Sequence, residues 1–311
     1  MVDFRYHLVS IIAIFLALAV GIVVGTTALN GPIADNLKGS ISSLSANKRQ
    51  LQGDVQTLRG TIARDDQFTT LMSGALLKNQ LLDQRVLVIS TPEADPGARD
   101  NLLKDLATAG ATVVGQVRLR PDLLDPAKSA TVDDVVAAVL PPDVRLPDGT
   151  SADRAAAELA TTLVRRTGST ATAAQTQRVV GGFEGADLLR VEGKAVLPTA
   201  TVVLMLTGAA PGTKAADQPA RTQAALALAL AFDARAGVVL AGPLSGLDPG
   251  GLLGALRDDN AVARRVSTVD SVDTPRGRVA TVLALHQQAA AGVGSYGDGR
   301  AAQGPAPSPL P

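Results

Sequence analysis

Residues 86–119 read VLVISTPEADPGARDNLLKDLATAGATVVGQVRL, and this stretch decides the fold class. VLVIS is a short apolar run, TPEADPG is a loop, and ARDNLLKDLATAG reads as a helix stopped at Gly110. ATVVGQVRL follows as a second strand. Strand, helix and strand in that order make a βαβ crossover, and a parallel sheet follows from it. The alternation recurs in TVVLML (201–206), a helix from about Pro219 to Arg235, and GVVLAG (237–242). A short helix from Gly250 to Asp258 then precedes the strand VSTVD (266–270) and a last helix, RGRVATVLALHQQAA. The expected fold class is α/β, a doubly wound, mostly parallel, Rossmann-like domain over residues 85–291. A helical, Ala-rich insertion occupies about 121–168, and the Gly/Pro-rich ending, 292–311, is expected to be disordered.

Upstream of this domain the chain is of another kind. From Leu8 to Asn30 no residue is charged. About 20 apolar residues at 1.5 Å each cross the hydrocarbon of a bilayer, so residues 1–30 are expected to be a transmembrane signal anchor. Cleaved signal peptides have apolar cores of only about 7–15 residues. Phe4 and Tyr6 beside Arg5 suit an interfacial aromatic belt. The N-terminus is expected to be cytoplasmic and the C-terminal domain extracytoplasmic, the usual insertion of a signal anchor; Arg5 on one side against Lys38, Lys48 and Arg49 on the other gives no decisive charge bias. Ala13, Ala17, Gly21 and Gly25 recur at every fourth position, a small-residue face for helix pairing in lipid.

Residues 31–80 carry a heptad pattern. With Ile41 at position a, Ala34, Lys48, Val55 and Ile62 share a, while Leu37, Leu44, Leu51 and Leu58 occupy d. Leucine at d with β-branched residues at a favours a parallel dimer, and a lone Lys48 at a fixes register. Asp54 at g precedes Arg59 at e by five positions, the spacing of an interchain ion pair between parallel helices. The expected dimer seam is Ile41, Leu44, Lys48, Leu51, Val55, Leu58 and Ile62; membrane-helix pairing falls to Ala17, Gly21 and Gly25.

Composition narrows the function. Of 311 residues, 29 are Lys or Arg and 29 are Asp or Glu, so no net field draws the chain to nucleic acid. Aromatics are 2% with no Trp, too few for base stacking. There is no Cys, His occurs twice and Met three times, a poor supply of soft metal ligands. Gly292, Gly294 and Gly297 spell GxGxxG, but behind a helix, the reverse of a dinucleotide site. Gly181-Gly-Phe-Glu-Gly185 reads as a turn without the Lys-Ser/Thr of a phosphate loop.

In GPLSG (242–246), Ser245 follows a strand but lacks a base, since His286 lies alone on the last helix. Glu184, Asp187 and Asp248 are loop carboxylates with no evident pairing, so a carboxylate-dependent envelope hydrolase is the weakest reading and no enzyme is expected. Asp270 ends a strand, where α/β sheets bind ligands. Thr274-Pro275 is a helix start that also accounts for Asp273, at the positive end of that helix. Asp270, Asp273 and Ser245 are therefore the candidate partner or ligand site; no catalytic, cofactor or metal residue is assigned.

MVDFRYHLVSIIAIFLALAVGIVVGT, the leucine heptads, and VSTVDSVDTPRGRVATVLAL with GVGSYG together resemble the actinobacterial copper transporter family typified by the mycobacterial copper transport protein MctB. The resemblance implies a role in copper efflux and homeostasis, for which a mycobacterial outer-membrane pore has been proposed. The chain is also similar to SteB-type proteins, which implies a scaffold or regulator of cell-wall hydrolysis and cell separation working with a neighbouring membrane or envelope protein. Copper is thus implied by the resemblance, while the residues themselves offer few ligands for it.

Overall fold

The computed structural model describes residues 4–140, 145–164, 172–211 and 216–308, the side chains of 27–36 excepted. Two compact units result, residues 1–65 and 66–311. The first consists of most of α1, a single 74-residue helix from Phe4 to Leu77. Within it Phe4–Thr26 has a mean hydropathy of 2.9, long and apolar enough to cross a membrane, with none of it covered by protein.

The second unit begins with the last turns of α1 and builds one seven-stranded sheet. Its elements are β1 (Arg85–Ser90), α2 (Pro96–Thr108), β2 (Thr112–Leu119), α3 (Ser129–Val139), α4 (Ser151–Leu163), α5 (Ala173–Gly185) and β3 (Leu189–Val191). There follow β4 (Val202–Leu206), α6 (Gln218–Asp233), β5 (Gly237–Ala241), α7 (Leu252–Asp258), α8 (Asn260–Ala263), β6 (Ser267–Val269), α9 (Pro275–Ala289) and β7 (Ser295–Tyr296). The strand order is β3-β2-β1-β4-β5-β6-β7. Every neighbouring pair is parallel except β2 with β3.

The apolar strand runs are buried on both faces, which is why they lack polar alternation. Val86, Val88, Val202, Leu204, Val239 and Ala241 turn to one face and join α2 and α9 through Leu102, Leu106, Ala280 and Leu285. Leu87, Ile89, Val203, Met205, Val238 and Leu240 turn to the other and meet α3 to α7. Leu77 and Leu81, at and just past the end of α1, are fully buried in the first of these cores.

Three sequence expectations need correction. The glycine-rich 181–185 is not a turn but the last part of α5. Its start is set by a capping box: Thr172 Oγ1 accepts from Gln175 N, and the Gln175 side chain accepts from Thr172 N. The sheet also gains β3, an antiparallel edge of three residues, too short to show a period. Finally, 292–308 is ordered. β7 pairs with β6 (Thr268 with Ser295, Val269 with Tyr296), and the chain beyond it folds back so that Gly297 N donates to Gly304 O. Glycine and proline composition signals disorder only where nothing buried holds the backbone; here Tyr296 is buried and its main chain is bonded. The expected insertion is helical in α3 and α4, with two short 3-10 turns over Pro121–Lys128 and an irregular stretch at 145–150; residues 141–144 and 165–168 of it lie outside the described residues.

One buried charge stands out in the helical layer. Glu158 of α4 is 1% exposed; one carboxylate oxygen accepts from Thr162 Oγ1 at 3.2 Å and the other has no partner. Burial raises its pKa, and the Thr162 bond only partly opposes that. The folded state therefore binds this proton more tightly than the unfolded chain. Its stabilising effect is complete below the unfolded value and is lost as pH rises through the raised folded value. Glu158→Gln should be more stable than wild type at neutral pH and show a flatter stability profile, read by chemical denaturation from about pH 4 to 8. A variant that follows the wild-type pH profile contradicts this.

Candidate functional site

From β1 the chain winds outward to β2, and it returns to β4 on the other side of β1. The carboxyl ends of β1 and β4 thus form a topological switch point, where open α/β sheets take ligands. Here the two loops close on each other. A Cβ on Gly208, after β4, would lie 1.9 Å from the Glu93 carbonyl oxygen after β1, so only glycine permits the contact. Two small spaces flank this contact. One, of about 40 Å³, is lined by Thr91, Thr207, Gln218 and Arg221; Thr91 Oγ1 is buried there without a partner among the described residues.

The other space, about 310 Å³, is lined by Glu93, Asp95, Arg99, Thr207, Ser245 and Asp273 among others. The structure therefore brings Ser245 and Asp273 together and leaves Asp270 elsewhere. Both are exposed. Asp95 is occupied as the N-cap of α2, accepting from Ala98 N at 2.6 Å. Arg99 is paired with Asp100 and Glu192. Thr274 caps α9 by accepting from Gly277 N at 3.1 Å, with Pro275 in the first helical turn. His286 is not near the crevice: its Nδ1 lies 2.5 Å from the Gln80 carbonyl and fastens α9 to the turn after α1.

Asp270 is fully buried, and every hydrogen-bonding direction of its carboxylate is filled. Oδ1 accepts from Ser271 Oγ (2.8 Å) and Asp298 N (2.7 Å). Oδ2 accepts from Arg257 Nη1 (2.9 Å) and Gly299 N (3.1 Å). Arg257, whose side chain is 1% exposed, directs three more of its five donors to Thr268 Oγ1, Tyr296 O and Arg300 O. Burial works to raise the Asp270 pKa, but the bonds from Asp298, Ser271, Gly299 and Arg257 outweigh it and hold it below the ordinary carboxylate range.

The glycines of GVGSYGDG now acquire a reason. Gly297 has φ +121°, and a Cβ on it would meet Asp270 Oδ1 at 2.1 Å. Of the GxGxxG glycines only Gly297 approaches this aspartate; Gly294 lies against Tyr296 and Gln303, and Gly292 against Gln287. So enclosed, Asp270 has no lone pair left for a ligand; it ties the C-terminal segment to the sheet. Arg257 had no signal in the sequence, because a partner 13 residues away across a helix and a turn follows no local spacing.

The proposed seam residues lie on α1. Ile41, Leu44, Leu51, Val55, Leu58 and Ile62 are between 44% and 70% exposed, and Lys48 is exposed among them. Leu44, Asn47, Lys48, Leu51, Gln52, Val55 and Arg59 line one shallow apolar face. Ala17 and Gly21 are exposed and Gly25 half-buried on the apolar segment. Among the described residues no three His, Cys, Asp or Glu side chains gather at a metal-sized site.

Residues 1–307 match the family described as "Copper transport outer membrane protein, MctB". The chain belongs to that family. Its similarity extends to the "Copper transporter MctB" of Mycobacterium tuberculosis strain H37Rv, 26% identical over 312 residues that cover 97% of this chain and 98% of that one. The "Copper transporter MctB" of Mycobacterium leprae is 28% identical over 322 residues, with the same coverage. MctB-family membership thus extends over the apolar segment, the rest of the long helix and the head together, not over the sheet alone.

Breaking the enclosed ion pair should cost far more than altering the crevice. Asp270→Ala should lose roughly 3–5 kcal/mol of stability, because it leaves Arg257 buried and unpaired. Ser245→Ala and Asp273→Ala, on exposed positions, should stay within about 0.5 kcal/mol of wild type. The Asp270 contribution is present above the unfolded carboxylate value and is lost as pH falls through the depressed folded one. Denaturant titration of the three variants checks this; an Asp270→Ala protein as stable as wild type contradicts it.

Proposed function

We propose that this MctB-family chain acts in copper transport and copper homeostasis as a membrane-anchored, dimeric, extracytoplasmic interaction module, and not as the protein that ligates the metal. One observation carries the reading: a segment of lipid-spanning length is followed, in the same helix, by an uncovered leucine seam. Lipid covers the first, and a parallel second copy covers the second. The N-terminus is then cytoplasmic, and the head displays its surfaces outside to a neighbouring membrane or envelope protein.

The residues support indirect copper handling. Copper sites draw on Cys, Met and His, and this chain has no Cys, two His and three Met. His286 is engaged by a main-chain carbonyl. Membrane barrels need strands of about 10 residues, lipid-facing on alternate positions. The described strands are two to eight residues long and covered by helices on both faces, which favours a single-span anchor over a pore. The same features suit the SteB-like alternative, a scaffold for cell-wall hydrolysis and cell separation.

Two outcomes test the proposal. Leu44→Gln combined with Leu51→Gln should abolish co-isolation of two differently tagged full-length copies from detergent extracts; undiminished co-isolation contradicts the seam. Calorimetric titration of the detergent-solubilised protein with copper should show no stoichiometric sub-micromolar site. Finding one overturns the indirect role.

A further inference from the structure

The apolar face of α1 does not stop where its heptads become irregular. Inside the second unit, Phe68, Leu71, Met72 and Leu76 are 43% to 71% exposed, on a helix that ends in the core of that unit. Their phase is informative. Met72 lies two heptads beyond Leu58 and falls at d; Leu76 lies two heptads beyond Ile62 and falls at a. Phe68 falls at g, beside the seam, and only Leu71 lies off it.

The opposite side of this stretch is fastened to its own head. Leu77, roughly 140° around the helix from Met72 at 3.6 residues per turn, is fully buried. Leu81 is buried in the same core, and its N donates to Ala109 O at 2.9 Å. The head thus holds the helix by one side, half-covering Thr69 at a, and leaves Phe68, Met72 and Leu76 bare.

We infer that Phe68, Met72 and Leu76 form a second self-association surface, by which a second copy of this chain pairs the heads directly. This rests on the dimer proposed above and extends it past Ile62. The occupant follows from phase: an unrelated partner has no reason to recognise a stripe in register with a seam that two copies already share. Asp54 at g and Arg59 at e fit the same parallel alignment, since each chain offers the charge the other needs. Between the two apolar blocks stand Asp65 at d and Thr69 at a. In a parallel pair each Asp65 faces its own copy, and like charges at the seam weaken it locally. The result is a zipper of two apolar blocks separated by one repulsive step.

Because the chain has no cysteine, single-cysteine variants of the full-length protein read the arrangement directly in membranes. Leu44→Cys reports the first block, Met72→Cys and Leu76→Cys the second, and Thr70→Cys, at b, the side away from the seam. With diamide as oxidant, the first three should give disulfide-linked dimers and Thr70→Cys only background. Asp65→Leu should raise the Met72→Cys dimer yield. Linkage at Leu44→Cys with none at Met72→Cys and Leu76→Cys overturns the inference and leaves the stalk dimer standing. No linkage at any position overturns both, and equal linkage at Thr70→Cys marks random collision and overturns the inference.

Discussion

The constraint on which the account depends is the long helix that its own chain leaves bare. Fully covering a Leu, Ile or Val side chain contributes about 1.5–3 kcal/mol, and α1 displays such residues along most of its length. A bilayer would satisfy the first part, since Phe4–Thr26 is long and apolar enough to cross one. Beyond it the apolar residues narrow to an a/d stripe flanked by Asn47, Gln52 and Arg59, a pattern wrong for lipid and right for another helix. On the proposed reading, the transition from all-round apolar to striped marks where lipid gives way to a second copy of the helix.

The head is finished by different means. Its sheet is closed at one edge by β7 and by the segment that follows, and that segment is held by a buried aspartate and arginine. A buried pair of this kind gives little net stability over apolar packing, yet removing either partner is costly. It therefore works as a fastener: it makes one arrangement of the tail far better than any other. At the switch point, Gly208 against Glu93 narrows the place where a dinucleotide fold holds its ligand. The head has the doubly wound order of an open α/β sheet, and the contact of Gly208 with Glu93 divides its switch-point crevice into spaces of about 40 and 310 Å³.

Much of this was legible from residue order because it depends on local period. The runs at 86–90, 202–206 and 237–241 are apolar on both faces, and helices alternate with them, so parallel order followed. Thr274-Pro275 announced the start of α9. What could not be read depends on contacts remote in sequence. Asp270 read as a candidate ligand residue at a strand end because nothing near it names Arg257 or the backbone of Asp298 and Gly299 as its partners. The tail looked disordered for the same reason: Gly297 and Gly299 serve a close approach to the distant Asp270, and composition alone assigns glycine to flexibility. Ser245 and Asp273 were legible as loop residues, but not as neighbours across one crevice.

The claim that a second copy covers the helix is tested most directly by the mass of the native full-length chain in density-matched detergent, measured by sedimentation equilibrium. The account predicts a protein mass of twice 31.7 kDa. A species of one chain's mass at every concentration would contradict it.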